Sequence, residues 1–247
     1  MPSDVAGVRP RSRRPAPRER LLKAADELFY AEGINSGGID RIIERADVAR
    51  ASLYSTFGSK DGLIRGYLEH RMEIVTERLR AAAEAQADPR EALLSAFGVQ
   101  AATFARPGFQ GCAFNRAAAE AAPGSAAYEV PRAYRRWLRD FLAGLAAAAG
   151  APDPGLLASQ MQLLYDGAML AASLDGNAGV TAAARAAAET LLDASLTRAS
   201  SGRHRKQEQA EPVTSASSLA LSREALAGGT IQKNVLRDTA RKRNGAL

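Results

Sequence analysis

The sequence predicts an all-α protein in which a small three-helix unit at the N-terminus is followed by a larger helical domain. Apolar residues recur at helical spacing from Leu21 onward, and no stretch alternates apolar and polar residues as a half-buried strand would. Composition agrees. Of 247 residues, 46% are hydrophobic and 6% aromatic, with Ala conspicuously frequent, a balance that favours closely packed helices.

Residues 1–16 set Arg9, Arg11, Arg13 and Arg14 among Pro10, Ser12 and Pro15. They hold too little apolar surface to order themselves, so a flexible basic arm is expected. From Pro17, Leu21, Ala25, Leu28 and Phe29 share one helical stripe that Gly33 ends. Ile39, Ile42, Ile43 and Ala46 follow at i, i+3, i+4, i+7, giving a short second helix. A turn at Asp47 and Val48 leads to a third helix over 50–57, with Leu53 and Phe57 facing the first two. Gly58 breaks the chain, Ser59 is a good N-cap, and Asp61 suits the first turn of a long fourth helix reaching about residue 85.

Asp88-Pro89 opens a helix to about Ala105, Gly108 and Gly111 mark a loop, and 112–122 reads as a further helix ended by Pro123-Gly124. Three more are expected over 125–149, 154–173 and 180–198, separated by Gly150-Ala151-Pro152 and Asp175-Gly176-Asn177. Residues 200–247 turn polar and basic and read as a disordered basic tail. The expected domains are therefore 17–63 and 64–199.

Several function classes are disfavoured. One Cys forbids an internal disulfide, and with two His residues lying apart no metal-ligand spacing is present. No phosphate-cradling Gly loop or nucleophile elbow appears, so neither an enzyme nor a cofactor is expected. The chain has no apolar signal core at its start and no membrane-length apolar run, which reads as cytoplasmic with no membrane partner. A formal charge of +6, concentrated at the two ends, makes a polyanionic partner plausible.

Two short helices joined by a tight turn can lay one helix across a phosphate backbone and the other in a major groove, although many helical hairpins share the periodicity. The residues narrow the choice. Ala24-Ala25, Leu28-Phe29, Gly33, Ala46-Asp47-Val48, Leu53-Tyr54, Phe57 and Ser59-Lys60-Asp61-Gly62-Leu63 together resemble the DNA-binding domain of TetR-family regulators. The resemblance covers under a fifth of the chain. It implies a helix-turn-helix regulator of transcription, commonly a repressor. Such a protein binds double-stranded operator DNA as a homodimer, and its C-terminal helices enclose a pocket for a small-molecule effector.

With Leu53 and Phe57 inward, Ala51, Ser52 and Ser55 face outward and Arg50 stands near the helix start. Arg50 suits a bidentate contact to guanine, and Ala51 a thymine methyl. By the family resemblance, Tyr54 and Thr56 touch phosphate or base edges. Lys60 lies where the helix dipole disfavours a cation, and so fits a bound phosphate. The bland alternatives are solvated charges, a partly buried Tyr54, and an N-terminal arm that is plain disorder rather than a minor-groove reader. The chain also departs from the family. Gly37-Gly38 replaces the usual hydroxyl pair opening the second helix, leaving Ser36 as substitute, and Ala49 is a poor cap for the third. A helical ligand-binding or interaction module that has lost specific DNA recognition therefore stays open.

For dimerisation the sequence offers a stripe of Ala158, Met161, Leu164, Tyr165, Ala168, Met169 and Ala172, with Leu191, Leu192 and Leu196 as a second, unless these only pack within one subunit. Cys112 sits where a helix begins, in a segment that resembles one found in a branch of the family sensing electrophiles and oxidants. It is a redox candidate, against the alternative of a buried inert thiol. Phe114 and Trp137, with Tyr134, Phe141 and Phe104, are candidates to line an effector pocket, or are simply core.

Overall fold

In the computed structural model, residues 15–176 and 179–208 are described, with side chains to residue 197. Among these the elements are α1 (Pro17–Glu32), α2 (Ile39–Ala46), α3 (Arg50–Phe57), α4 (Lys60–Glu84), α5 (Pro89–Phe104), α6 (Ala113–Ala119), α7 (Ala126–Ala148), α8 (Pro154–Asp175) and α9 (Val180–Glu208), with no strand. The arginine arm to Arg14 and the tail from residue 209 lie outside the described residues. One unit runs to Arg203 and holds all the packing that follows; of the second, from His204, the described residues are the helical 204–208.

The N-terminal helices close on a small core. Leu21, Ala25, Ile42, Leu53 and Leu63 are fully buried, joined by Phe29, whose ring centroid lies 5.6 Å from that of Tyr67 on α4. The α2–α3 turn is held from α1: Arg20 donates to the Ala46 carbonyl at 3.0 Å and to that of Asp47, meeting carbonyls the helix end leaves unpaired. Asp47 itself adopts φ 49° and ψ 57°, left-handed geometry that Asp tolerates.

α4 joins the two cores, packing on α1 and α3 at one end and on α5 and α7 beyond. α7 in turn packs on α5, α6 and α8, around Leu93, Leu94, Phe97, Leu138, Leu142 and Leu157. α7 runs through Pro131, which removes one intrahelical hydrogen bond.

The structure departs from the sequence expectation in three places. α6 stops at Ala119, three residues short of the expected end, with Glu120 following at the C-cap position and its carboxylate accepting from the Asn35 amide. α9 continues past Arg198 to Glu208: Arg, Lys and Gln are good helix formers even where no apolar stripe marks them. On α8, the expected dimer stripe is mostly interior. Ala158 and Met161 are fully buried, and Tyr165, Ala168 and Ala172 nearly so, within this one subunit. The face left open carries Leu156, Leu163, Leu170 and Leu174, at 54%, 70%, 58% and 74% exposure.

Candidate nucleic-acid interface and the cavity behind it

α3 is anchored through fully buried Leu53, with Phe57 partly buried behind it, and turns the rest of its surface outward. Arg50, Ala51, Tyr54, Ser55 and Thr56 are exposed, Tyr54 at 43%, while Ser52 is half-buried. Tyr54 is thus a surface side chain rather than a buried aromatic. The Arg50 guanidinium pairs with Asp40 of α2, both side chains more than half exposed. Such a pair is weak in water and readily exchanged for another acceptor. The Thr56 hydroxyl donates to the Ser52 carbonyl at 2.6 Å and that of Ser55 to the same oxygen at 3.2 Å, so both turn back onto their own helix.

Lys60, in the first turn of α4, donates from Nζ to the Asn35 carbonyl at 3.2 Å. That contact joins α4 to the α1–α2 turn and supplies part of the electrostatic relief that a bound anion was expected to give. Ser59 caps α4 as expected, accepting from the Gly62 amide at 3.0 Å. Ser36 is exposed in the turn but does not cap α2, whose N-cap is Gly38 with no side-chain bond; α3 likewise starts uncapped at Ala49. Ion pairs of Arg41 with Glu32 and of Arg45 with Glu27 brace α2 against α1.

The sequence missed the groups that tie this head to the rest. Asn35 donates its backbone amide to Glu120, just after α6, at 2.8 Å. Arg71 of α4 grips Asp26 of α1 through two bonds of 2.5 and 3.0 Å, with its guanidinium carbon 4.0 Å above the Tyr30 ring. The Tyr30 hydroxyl donates to the Gly111 carbonyl at 2.9 Å and accepts from the Gln110 amide at 3.0 Å. The visible signal was spacing on α4, where Arg71 and Arg78 are seven apart on one face, but solvated charges give the same pattern.

Between these groups lies a cavity of about 270 Å³. Cys112, Phe114 and Tyr134 line it with Tyr165, whereas Trp137, Phe141 and Phe104 do not. Trp137 stacks instead on Phe141, centroids 5.0 Å apart, with Arg80 5.2 Å over its ring. Phe114 stacks on Tyr134 at 4.3 Å. Cys112 is the N-cap residue of α6, but burial pushes its thiol up from the ordinary value and outweighs the Asn115 and Phe114 amides that favour thiolate. That direction runs against the activation expected from a helix terminus.

A model of bacterial regulatory proteins of the tetR family matches residues 21–67. A TetR-family transcriptional regulator from Streptomyces coelicolor superposes with a TM-score of 0.69 and 34% identity, over 72% of this chain and 95% of that one. The chain belongs to the TetR family. A second family structure, from Streptomyces avermitilis, gives 0.67 and 32% over 73% of this chain and 98% of that one. The transcriptional activator FasR of Mycolicibacterium smegmatis is 34% identical over 79 residues, 32% of this chain and 36% of that protein. The chain thus matches little over a third of that relative's length. As a TetR-family regulator it is a DNA-binding transcription factor rather than an enzyme, and no described helix is long and apolar enough to cross a membrane.

Proposed function

We propose that this regulator is a ligand-responsive repressor that binds a palindromic operator as a homodimer. Residues 17–63 form the reading head and 64–199 the effector and dimer domain. The observation that carries the reading is α3 itself, buried through Leu53 and outward with Arg50, Ala51, Ser52, Tyr54 and Ser55, a helix surface free to enter a major groove. Arg50 leaves Asp40 for a guanine edge, Ala51 permits close approach, and Thr56, Ser36 and Lys60 meet the sugar-phosphate backbone.

A second copy of the chain covers the α8 leucines. Leu156, Leu163 and Leu170 recur every seven residues, the repeat that suits helices packed nearly antiparallel across a two-fold axis. The cavity receives the effector, which acts by preferring a dimer geometry that does not span two half-sites.

The test is fluorescence anisotropy of the full chain on duplexes flanking its own gene and on shuffled duplexes, across a salt series. A repressor binds the native fragment strongly, with a steep salt slope, and represses a reporter placed behind it. Because FasR is named an activator, the reporter also reads the sign. The uncapped starts of α2 and α3 favour one second reading, a module that has lost recognition, which predicts equal weak binding to both duplexes.

A further inference from the structure

The charges around the cavity do not balance. Arg71, Arg78 and Arg106 all line it, and Asp26 is the carboxylate among them, already taken up by its two bonds to Arg71. Among the described residues, neither the Arg78 nor the Arg106 side chain has a hydrogen-bond or ion-pair partner. Arg78 is half-buried, and burial, with the like charges of Arg106 and Arg71 added, pulls its guanidinium down from its ordinary value. A guanidinium held beside two others without an acceptor is an unfavourable arrangement that an anion would relieve. The rest of the lining is largely apolar and aromatic: the stacked Phe114 and Tyr134, with Tyr165 and Met169, and Val75 between Arg71 and Arg78 on α4. Burial raises both phenols above their ordinary value, so they bring no negative charge, and their hydroxyls hydrogen-bond to each other.

Building on the effector reading above, we propose that the cavity takes a small amphipathic acid, its carboxylate held by Arg78 and Arg106 and its apolar body laid against Phe114, Tyr134 and Tyr165. The volume of about 270 Å³ is at the bottom of the usual range for small-molecule sites, which limits the ligand to a compact acid. The same site explains how occupancy reaches the DNA-binding head. A carboxylate beside Arg71 competes with Asp26 for that guanidinium, and Asp26 and Tyr30 both stand on α1.

The test titrates the full chain with phenylacetate, 4-phenylbutyrate and octanoate, and with the neutral amide of each, by calorimetry, and repeats the titrations on Arg106→Gln and Arg78→Gln. Arg106 is exposed, so its variant folds whether or not that of Arg78 does. At least one acid binds about ten- to hundredfold more tightly than its amide, the margin of a charge-assisted pair, and each variant removes most of that preference. Amides binding as tightly as acids, no pair binding at all, or a preference surviving in Arg106→Gln would each overturn the proposal. Operator anisotropy with and without the tightest acid separates this from the effector reading. Selective acid binding that leaves operator affinity unchanged sinks the regulatory role alone, and operator binding by a chain that ignores every acid sinks the ligand class alone.

Discussion

Gly37 and Gly38 stand side by side for different reasons. A Cβ on Gly37 would come within 2.6 Å of the Phe29 ring, while one on Gly38 meets nothing within 4 Å. Gly38→Ser is therefore expected to stabilise the protein by a few tenths to about 1 kcal/mol by capping α2, and Gly37→Ser to destabilise it, both read as shifts in the urea midpoint. Neither difference is legible in the sequence, since it depends on where a distant ring comes to rest. The same holds for Asp61. It suits the first turn of α4, yet its carboxylate accepts from the Ala126 amide at 3.0 Å and caps α7 from across the fold. Asp61→Ala should lower stability by about 1 kcal/mol in the same assay. At the interface, Arg50→Ala is expected to relax base preference at one operator position by about 1 to 3 kcal/mol, whereas Lys60→Ala weakens all sequences alike. Anisotropy on single-base operator variants distinguishes them. Cys112 carries a pH prediction. Its folded thiol titrates above its unfolded value, so the stability it contributes is fully present below the ordinary thiol pKa and lost as pH rises through the folded one. Native protein should react with iodoacetamide more slowly than a free thiol at pH 8, with its rate profile displaced to higher pH; a profile displaced downward would restore the redox reading.

At the scale of elements, the helices were legible wherever an apolar stripe met a stop signal, which is why α1 to α5 and α8 begin where the sequence places them. Orientation was not legible on α8. Two stripes run along it, and periodicity identifies the helix without saying which faces inward. The small residues, Ala158, Ala168 and Ala172, went inward because α7 packs close there, and the bulkier leucines stayed outside. Leu163→Glu with Leu170→Glu should therefore leave the far-ultraviolet circular dichroism intact and convert the proposed dimer to monomer in analytical ultracentrifugation. A dimer that persists would move the interface elsewhere. α9 shows the converse failure, since a helix built from propensity alone leaves no hydrophobic pattern to read past Arg198.

At the scale of the whole molecule, head and cavity share α1 and α4: Asp26 and Tyr30 edge the cavity, while Leu21 and Ala25 build the core beneath α3. Glu120 adds a second link, from the end of α6 to Asn35 in the turn before α2. Under the proposed effector response, linkage requires that an effector weakening operator binding is itself bound more weakly by the DNA complex, by the same factor. The sequence disclosed the helix-turn-helix, whose motif is local, but only Cys112, Phe114 and Tyr134 of the cavity, whose lining is gathered from six helices and the loop before α6. Specific operator recognition through α3 is tested by anisotropy of the wild type and Arg50→Ala on the flanking fragment and on its shuffled counterpart, at matched salt. The wild type is expected to prefer the native fragment by about a thousandfold or more, and Arg50→Ala to lose about tenfold or more of that margin without losing its affinity for shuffled DNA. Equal binding of both fragments by the wild type, at every salt and with every flanking duplex, would contradict it.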